Sequence, residues 1–385
     1  MARQDRLLKG TVTDSAVCLL MCLAGSAAAA PTVLSVSGTF AHTGTVTISG
    51  AGFGTKGTAA PIVWDDASGA NLLDKWSGAW PNRATNATYN TQYRTPIRGI
   101  GLPHNHITKY IAGGGIGGAA DSGNNVIFWK TRNITSYPAY TYASWYYRAD
   151  DNWVFNCGNP ADNNLKHWDF SASTEPYDNN NWYVAFGPPL PTTKSPTDFA
   201  DWLLTDDGPS LQNPDQNGHI VWWGHSINPM AGNWIKIELQ IKYTNQNDGY
   251  VKMWENGVLK MNYLGPTDKY SGSTRSEGPG GFQRCTNQNN FRYWADVYLD
   301  YTPARVVLAD KPTLSLATIV ETQIPTAWNA SSIGISVNLG KFSSGQTAYL
   351  FVVDSSGTPS GAGLPVTVGG TVNGQLSAPT NLRVQ

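Results

Sequence analysis

Alternating apolar and polar positions are the dominant pattern along this chain, and a period of two predicts β-strands. The clearest segment is Phe291–Asp300, because successive side chains of a strand point to opposite faces. One set of alternate positions can bury in a sandwich core; it comprises Tyr293, Ala295, Val297, Leu299 and Tyr301. The other set, the aromatic row, comprises Arg292, Trp294, Asp296, Tyr298 and Asp300. Rings and charges in one line are expected to face solvent and to stack on a flat polar ligand, with sugar the obvious candidate.

Similar patterns predict further strands over residues 140–148, 165–170, 182–186, 219–223, 234–243 and 250–254. Asn256 and Gly257 are typical of a tight hairpin turn. Residues 197–204 are expected to form one short helical turn, and no longer amphipathic helix is predicted. The chain contains Gly 40, Pro 23, Trp 15 and Tyr 18, which indicates many turns joined by aromatic strands. The expected fold class is therefore all-β.

Charge narrows the set of expected partners. The formal net charge is -1 and only 14% of the residues are charged, against a typical share of about 25%. Without a basic excess or a polybasic run, neither nucleic acid nor an anionic membrane surface is an expected partner. No segment reaches the roughly 18 consecutive apolar residues of a membrane-spanning helix, so no membrane span is predicted.

The first thirty residues have the pattern of a secretory signal peptide. Arg3, Arg6 and Lys9 precede an apolar run over residues 16–24, and three alanines at 28–30 provide a small-residue cleavage pattern. The predicted location is therefore extracellular or at the cell surface.

Two cysteines remain once a signal peptide over residues 1–30 is removed. In an oxidising compartment, Cys157 and Cys285 can form one disulfide, and two unpaired thiols are the alternative. A metal site is not favoured by two thiols without a nearby histidine pattern.

Residues near both ends resemble an immunoglobulin-like domain of the IPT/TIG family. Residues 45–54, which read TVTISGAGFG, resemble its opening strand and turn, and residues 327–337 and 347–357 resemble its later strands. The resemblance implies one small sandwich split into residues 31–61 and 311–370, with residues 62–310 inserted and a polar tail over 371–385. Two separate partial modules are the alternative, but a piece of about thirty residues has too little core to fold alone.

The inserted region resembles the concanavalin A-like jelly roll. Residues 233–242 and 248–257 match its paired-strand pattern, which ends in a turn with glycine, and residues 295–300 match its closing strand. The resemblance implies a jelly-roll sandwich. That fold hosts lectins, glycosidases, polysaccharide lyases and adhesion modules, so it does not decide the activity.

Two kinds of sugar-cleaving chemistry can be tested against the residues. Glycosidases of this fold carry paired acidic residues on one strand, and no glutamate of this chain lies in such a motif, which argues against that class. A lyase acting on a uronate polymer by β-elimination needs a base, which can be tyrosine, histidine or lysine, and a tyrosine needs a cation beside it to lower its pKa. Tyr298 is the candidate acid and base, with Lys166, Lys236 or Lys252 as the candidate cation and His167 or His219 as an alternative base.

Non-catalytic binding requires fewer groups, and it is the leading prediction. Its candidate contacts are the rings of Trp168, Trp254 and Trp294 together with the polar groups of Arg292 and Asp296. The expected partner is a polysaccharide or a cell-surface glycan, bound for recognition or adhesion. Burial of these tryptophans in the core is the alternative for each ring. A purely structural extracellular module is a third possibility.

No cofactor is required by these predictions, but a structural calcium ion is a candidate. Asp65 and Asp66 near the first inserted strand and Asp296 near the last offer the oxygen ligands that Ca²⁺ prefers. Capping of turns by aspartate is the alternative.

Overall fold

The computed structural model describes residues 29–66, 74–79, 92–93, 110–113, 126–149, 165–172, 182–187, 201–206, 220–223, 232–267, 273–281 and 291–373. These residues contain strands and no α-helix, so the all-β prediction is confirmed. The described residues contain no helix that is long and apolar enough to cross a membrane. Cys157, Cys285, residues 1–28 of the predicted signal peptide and residues 374–385 of the predicted tail lie outside the described residues.

The strands are numbered here in chain order. The first group is β1 (Thr32–Thr39), β2 (Thr45–Ala51), β3 (Val63–Asp65), β4 (Gly78–Ala79), β5 (Gln92–Tyr93), β6 (Tyr110–Gly113), β7 (Val126–Ile134) and β8 (Ala139–Ala149). The second group is β9 (Leu165–Ala172), β10 (Trp182–Gly187), β11 (Asp201–Asp206), β12 (Ile220–Trp223), β13 (Ile235–Tyr243), β14 (Tyr250–Glu255), β15 (Val258–Leu264), β16 (Ser273–Gly281) and β17 (Phe291–Asp300). The last group is β18 (Arg305–Ala309), β19 (Val320–Thr322), β20 (Ile324–Trp328), β21 (Ser332–Ser336), β22 (Thr347–Val353), β23 (Leu364–Thr367) and β24 (Thr371–Asn373), with a 3-10 turn at Leu314–Leu316.

Two sheets form the larger sandwich. The outer sheet has the strand order β12-β11-β10-β9-β16-β7-β4. The central sheet has the order β15-β14-β13-β8-β17-β6-β5, and β3 also pairs with β17. Trp145 of β8 stacks on Trp168 of β9 with ring centroids 5.0 Å apart, so the two sheets pack face to face around a core of large rings.

Two further sheets form the smaller sandwich. The distal sheet has the order β20-β21-β2-β1-β24, and the facing sheet has the order β19-β18-β22-β23. Strands from distant parts of the chain pair directly, since Thr45 of β2 lies opposite Ser336 of β21. Both sheets contribute to one buried apolar core, for example through Ile48 and Leu350. Assignment of this sandwich to the IPT/TIG family and the predicted domain boundaries stay predictions.

The central sheet is buried on both of its faces over β8 and β13. Ile237 and Leu239 of β13 lie opposite the β8 residues Trp145 and Ala143 and share their face, but the alternate residue Glu238 is also buried. The side chains of β14 instead alternate between half-buried and buried positions. The difference follows from the facing sheet, which covers β8 and β13 but leaves β14 partly open.

A β-bulge in β17 separates the members of the aromatic row. Trp294 lies opposite Tyr147 and Tyr298 lies opposite Ser144, so β17 has one more residue than β8 between these pairs. Asp296 occupies the bulge with a φ of 50°, a conformation that few residues other than glycine adopt. The extra residue reverses the faces of the side chains that follow. The described side chains of the row are all buried as well, so the prediction of one solvent-facing row is wrong.

Two local predictions have opposite outcomes. The hairpin turn at Asn256 and Gly257 is confirmed, with φ angles of 49° and 75° that suit asparagine and glycine in a tight turn between β14 and β15. The short helical turn expected over residues 197–204 is wrong, because Asp201–Asp206 forms β11 and pairs with β10 and β12. Pairing with two neighbouring strands overrides the local sequence preference.

Candidate functional site

Polar and aromatic side chains cover the face of the central sheet that points away from the outer sheet. We call this set the polar face; it comprises Tyr142, Ser144 and Tyr146 of β8, Lys236, Glu238 and Gln240 of β13, and Tyr250, Lys252 and Trp254 of β14. The register brings them side by side, with Lys236 opposite Tyr146 and Glu238 opposite both Ser144 and Trp254. Sequence analysis missed the tyrosines of β8, although the spacing of Tyr140, Tyr142 and Tyr146 on alternate positions was a readable signal.

The facing sheet closes one half of the polar face. Tyr142 Oη donates to Glu238 Oε1 at 2.6 Å and lies 3.1 Å from the Thr322 hydroxyl, which also lies 3.1 Å from that of Ser144. The Arg305 guanidinium lies over the Tyr142 ring, 4.2 Å from its centroid. Burial raises the pKa of Tyr142 far above its usual range, and the Glu238 carboxylate adds to that shift. This half is a packed interface.

The other half of the polar face is more open. We call Tyr250, Lys252 and Trp254 the β14 row; all three are half-buried and alternate with buried Val251, Met253 and Glu255. The Lys252 ammonium lies 4.9 Å from the Tyr250 ring centroid. A cation and two aromatic rings are therefore presented together on one strand.

Hydrogen bonding holds one end of the β14 row in place. Gln240 Nε2 donates to Tyr250 Oη at 2.7 Å, and burial raises the pKa of Tyr250. Among the described residues, Lys252 forms no salt bridge, so its charge is available at the surface. The row can therefore offer stacking surfaces and one positive charge to a ligand.

Tyr298 does not have the environment that a general base requires. Its side chain is fully buried, and its Oη donates to Asp300 Oδ2 at 3.1 Å. Burial, followed by the Asp300 carboxylate, raises the pKa of Tyr298 well above its usual range. Asp300 in turn forms an ion pair with Lys56 at 2.6 Å. Proton abstraction needs a lowered pKa and access to substrate, so this placement contradicts the predicted role.

The strands that carry the predicted cations and the alternative base His167 are not neighbours of β17 in the sheets. Lys166 and His167 belong to β9, which lies in the outer sheet, and their side chains are outside the described part of the structure. Lys236 lies on β13, which β8 separates from β17. Its ammonium lies 4.6 Å from the ring centroid of Tyr146, a different tyrosine. β9 is not a hydrogen-bonded neighbour of β17, and the predicted roles of Lys166 and His167 stay predictions.

Two of the predicted ligand-binding rings are core residues. Trp294 is fully buried and meets the Tyr147 ring edge to face at 5.5 Å, while Trp168 is buried against Trp145. Neither ring can stack on a ligand in this arrangement. The backbone of Arg292 lies opposite Ala112 and Ala149, and its side chain is outside the described part. Trp254 alone among the three predicted tryptophans lies in a half-buried position.

The predicted calcium ligands have other partners. Asp65 accepts from Trp76 Nε1 at 2.9 Å and from Lys75 Nζ at 3.3 Å, and Lys75 also lies 3.4 Å from Asp66. Burial raises the pKa of Asp296 to about 7, against the lowering effect of Lys236. The described residues contain no group of three or more histidine, cysteine, aspartate or glutamate side chains arranged for a metal. Lys75 already supplies positive charge beside Asp65 and Asp66, so the observed contacts do not support a calcium ion at these two residues. Calcium binding stays a prediction.

Comparison with known proteins adds only distant likenesses. No family model and no curated protein sequence matches the chain. An endo-β-1,4-glucuronan lyase from the fungus Trichoderma reesei is 13% identical over 60% of this chain and 92% of its own, with a TM-score of 0.40. A marine alginate lyase from Aplysia kurodai is 10% identical over 63% of this chain and 100% of its own, with a TM-score of 0.41. The carbohydrate recognition domain of Emp46p is 8% identical over 62% of this chain and 98% of its own, with a TM-score of 0.34. Identities and TM-scores this low establish neither a family nor an activity.

Proposed function

We propose that this protein binds carbohydrate, for recognition or adhesion, through the β14 row. The observation that supports the proposal is the alternation on β14, which places Tyr250, Lys252 and Trp254 at half-buried positions on one face while the intervening side chains are buried. Ring faces beside a cationic donor suit the flat apolar faces and hydroxyl edges of sugars. Secretion, which would bring the protein to extracellular glycans, stays a prediction.

The burial and the raised pKa of Tyr298 and Tyr146 favour binding over β-elimination. Tyr298 is buried with a raised pKa, and Tyr146, which lies near Lys236, donates to Glu321 and is buried too. Neither hydroxyl reaches solvent in this structure. The solved structures named above are lyases or a sugar-recognition domain, and at their TM-scores they add no argument for either role.

A binding assay with one matched tryptophan variant tests the proposal. Trp254→Ala should weaken retention of the protein on immobilised polysaccharide at least about fivefold, because a stacked ring contributes on the order of 1–3 kcal/mol including its buried area. Trp64→Ala is the control, since Trp64 is also half-buried in the central sheet but lies on β3. Equal loss in both variants, or no retention of the wild-type protein on acidic or neutral polymers, would contradict the proposal.

The same incubations separate binding from cleavage. Elimination produces an unsaturated uronate that absorbs ultraviolet light, so absorbance can be followed with each acidic polymer. Binding without a rise in absorbance is expected. A rise that Tyr146→Phe or Tyr298→Phe abolishes would show that the protein is a lyase and that the interface over these tyrosines opens.

A further inference from the structure

Glu321 of the smaller sandwich has a fully buried carboxylate at the boundary between the two sandwiches. From the larger sandwich, Tyr146 Oη donates to Glu321 Oε1, and Lys236 Nζ lies 3.5 Å from Oε2. From its own sandwich, the backbone N–H of Lys341 donates to Oε1 at 3.0 Å. Both oxygens thus have partners, and two of the three partners belong to the other sandwich.

The loop over residues 338–341 is shaped around this carboxylate. Gly340 has a φ of 49°, and a Cβ at that position would overlap the Glu321 carboxylate. Asn338 Oδ1 accepts from the Gly340 N–H at 3.3 Å, and Gln323 exchanges two hydrogen bonds with the Asn338 backbone. Only glycine fits here without displacing Glu321. The loop is therefore built to hold a carboxylate at this point.

Two ammonium groups lie close to the Glu321 carboxylate. Lys236 and Lys341 are both close to the Tyr146 ring, at 4.6 and 5.4 Å from its centroid. Burial lowers the pKa of Lys341, and Glu321 opposes that shift. The other acidic groups that act on this cluster are Asp296 and Glu238. Loss of the Glu321 charge would leave Lys236 buried without its carboxylate partner across the boundary, which is costly.

We propose that Glu321 is an interdomain latch: its carboxylate joins Tyr146 and Lys236 of the larger sandwich to the 338–341 loop of the smaller one and keeps the β8 half of the polar face closed. Other contacts across this boundary include hydroxyl pairs around Thr322, the Arg305 guanidinium on Tyr142, the Lys341 ammonium near the Tyr146 ring and the ion pair of Lys56 with Asp300. Asp300 also receives donors from both sides of the boundary, namely Tyr298 and Lys56. Glu321 differs from Asp300 because the loop beside it has a glycine, Gly340, where a Cβ would overlap the carboxylate. The proposal does not depend on carbohydrate binding.

Amide hydrogen exchange of Glu321→Gln tests the latch. The glutamine retains an oxygen for Tyr146 and Lys341, but it turns an amide donor toward the Lys236 ammonium. Exchange in residues 320–322, 338–341 and β8 should accelerate relative to the wild-type protein at least about tenfold more than exchange in the outer sheet does. The reason is that opening at this boundary becomes easier than global unfolding.

Glu277→Gln is the matched control. Glu277 is also fully buried, and its partners Arg132 and Thr141 belong to the larger sandwich. This variant should not selectively accelerate exchange at the boundary. Selective acceleration there in Glu277→Gln, or its absence in Glu321→Gln, would overturn the proposal.

A double variant decides the case in which Glu321→Gln does not fold. Lys236→Met removes the ammonium that the glutamine amide would face. Glu321→Gln with Lys236→Met should therefore fold. Where Glu321→Gln folds as well, the double variant should recover at least half of the thermal stability that the single variant loses. A double variant that also fails to fold, or that is no more stable than Glu321→Gln, would show that the two side chains are not coupled.

Discussion

The two halves of the polar face have the same kind of sequence and opposite environments. Tyr142, Ser144 and Tyr146 on β8 are fully buried under the facing sheet, while Tyr250, Lys252 and Trp254 on β14 are half-buried. In each strand, polar and aromatic residues alternate with residues that fill the inter-sheet core. The comparison teaches that an aromatic and polar strand face marks a surface that contacts something, and that the contact can be another part of the same chain.

Large rings on the two faces should differ most in their effect on stability. Trp145→Ala removes a fully buried ring that stacks on Trp168, and it should lower the free energy of unfolding by about 3–5 kcal/mol. Trp254→Ala should lower it by only about 1 kcal/mol, because the ring is half-buried. Urea denaturation measures both, and equal losses would mean that the β14 row is as closed as the inter-sheet core.

The buried carboxyl of Asp296 on β17 should make the stability of the protein depend on pH. The folded-state pKa of Asp296 is raised to about 7 by burial, with Glu321 and Asp66 adding to the shift and Lys236 opposing it, against about 3.9 in an unfolded chain. A carboxyl with a raised folded pKa stabilises the fold fully below its unfolded pKa, and that stability is lost as the pH rises through the folded value. The free energy of unfolding should therefore fall between about pH 4 and pH 7.

Asp296→Asn should flatten this pH dependence. Asparagine tolerates the positive φ of the bulge and carries no titratable proton. Denaturation midpoints at several pH values would measure the slope. An unchanged slope in the variant would assign the dependence to other groups, such as Asp300, whose pKa is also raised by burial.

Removal of a single tyrosine hydroxyl from each half of the polar face compares how much each half contributes to stability. Tyr142→Phe leaves buried Glu238 without its 2.6 Å donor and should cost about 1–3 kcal/mol. Tyr250→Phe removes the acceptor of one Gln240 hydrogen bond at a half-exposed site and should cost less than about 1 kcal/mol. A larger loss for Tyr250→Phe would reverse the assignment of closed and open halves.

The smallest effect is expected beyond the open half, on edge strand β15. Leu264 is 67% exposed, so Leu264→Ser should change the free energy of unfolding by no more than about 0.5 kcal/mol. Leu239→Ser on buried β13 should be strongly destabilising, and thermal denaturation would show the contrast. A clear loss of stability in Leu264→Ser would indicate that another surface covers this edge.

Strand positions were predictable because they depend on local alternation. Phe291–Asp300 was predicted with its observed bounds, and the Asn256–Gly257 turn followed from residues that accept positive φ angles. The faces of the later residues in β17 were not predictable, because one extra residue at Asp296 reverses them. Trp254 was identified as a candidate contact by its strand pattern, whereas Glu321 was not, because nothing near it in sequence indicates its partners Tyr146 and Lys236.

The sequence by itself determined the all-β class and the main strands, because these follow from the period of side chains along one strand. Only the tertiary structure decided which side chains form the polar face and which part of that face is buried. Strand pairing across more than 280 residues, such as Thr45 with Ser336, brings the smaller sandwich together, and the facing sheet of that sandwich covers β8 and β13. Burial of a polar side chain depends on what packs against it, and residues far apart in the chain supply that contact.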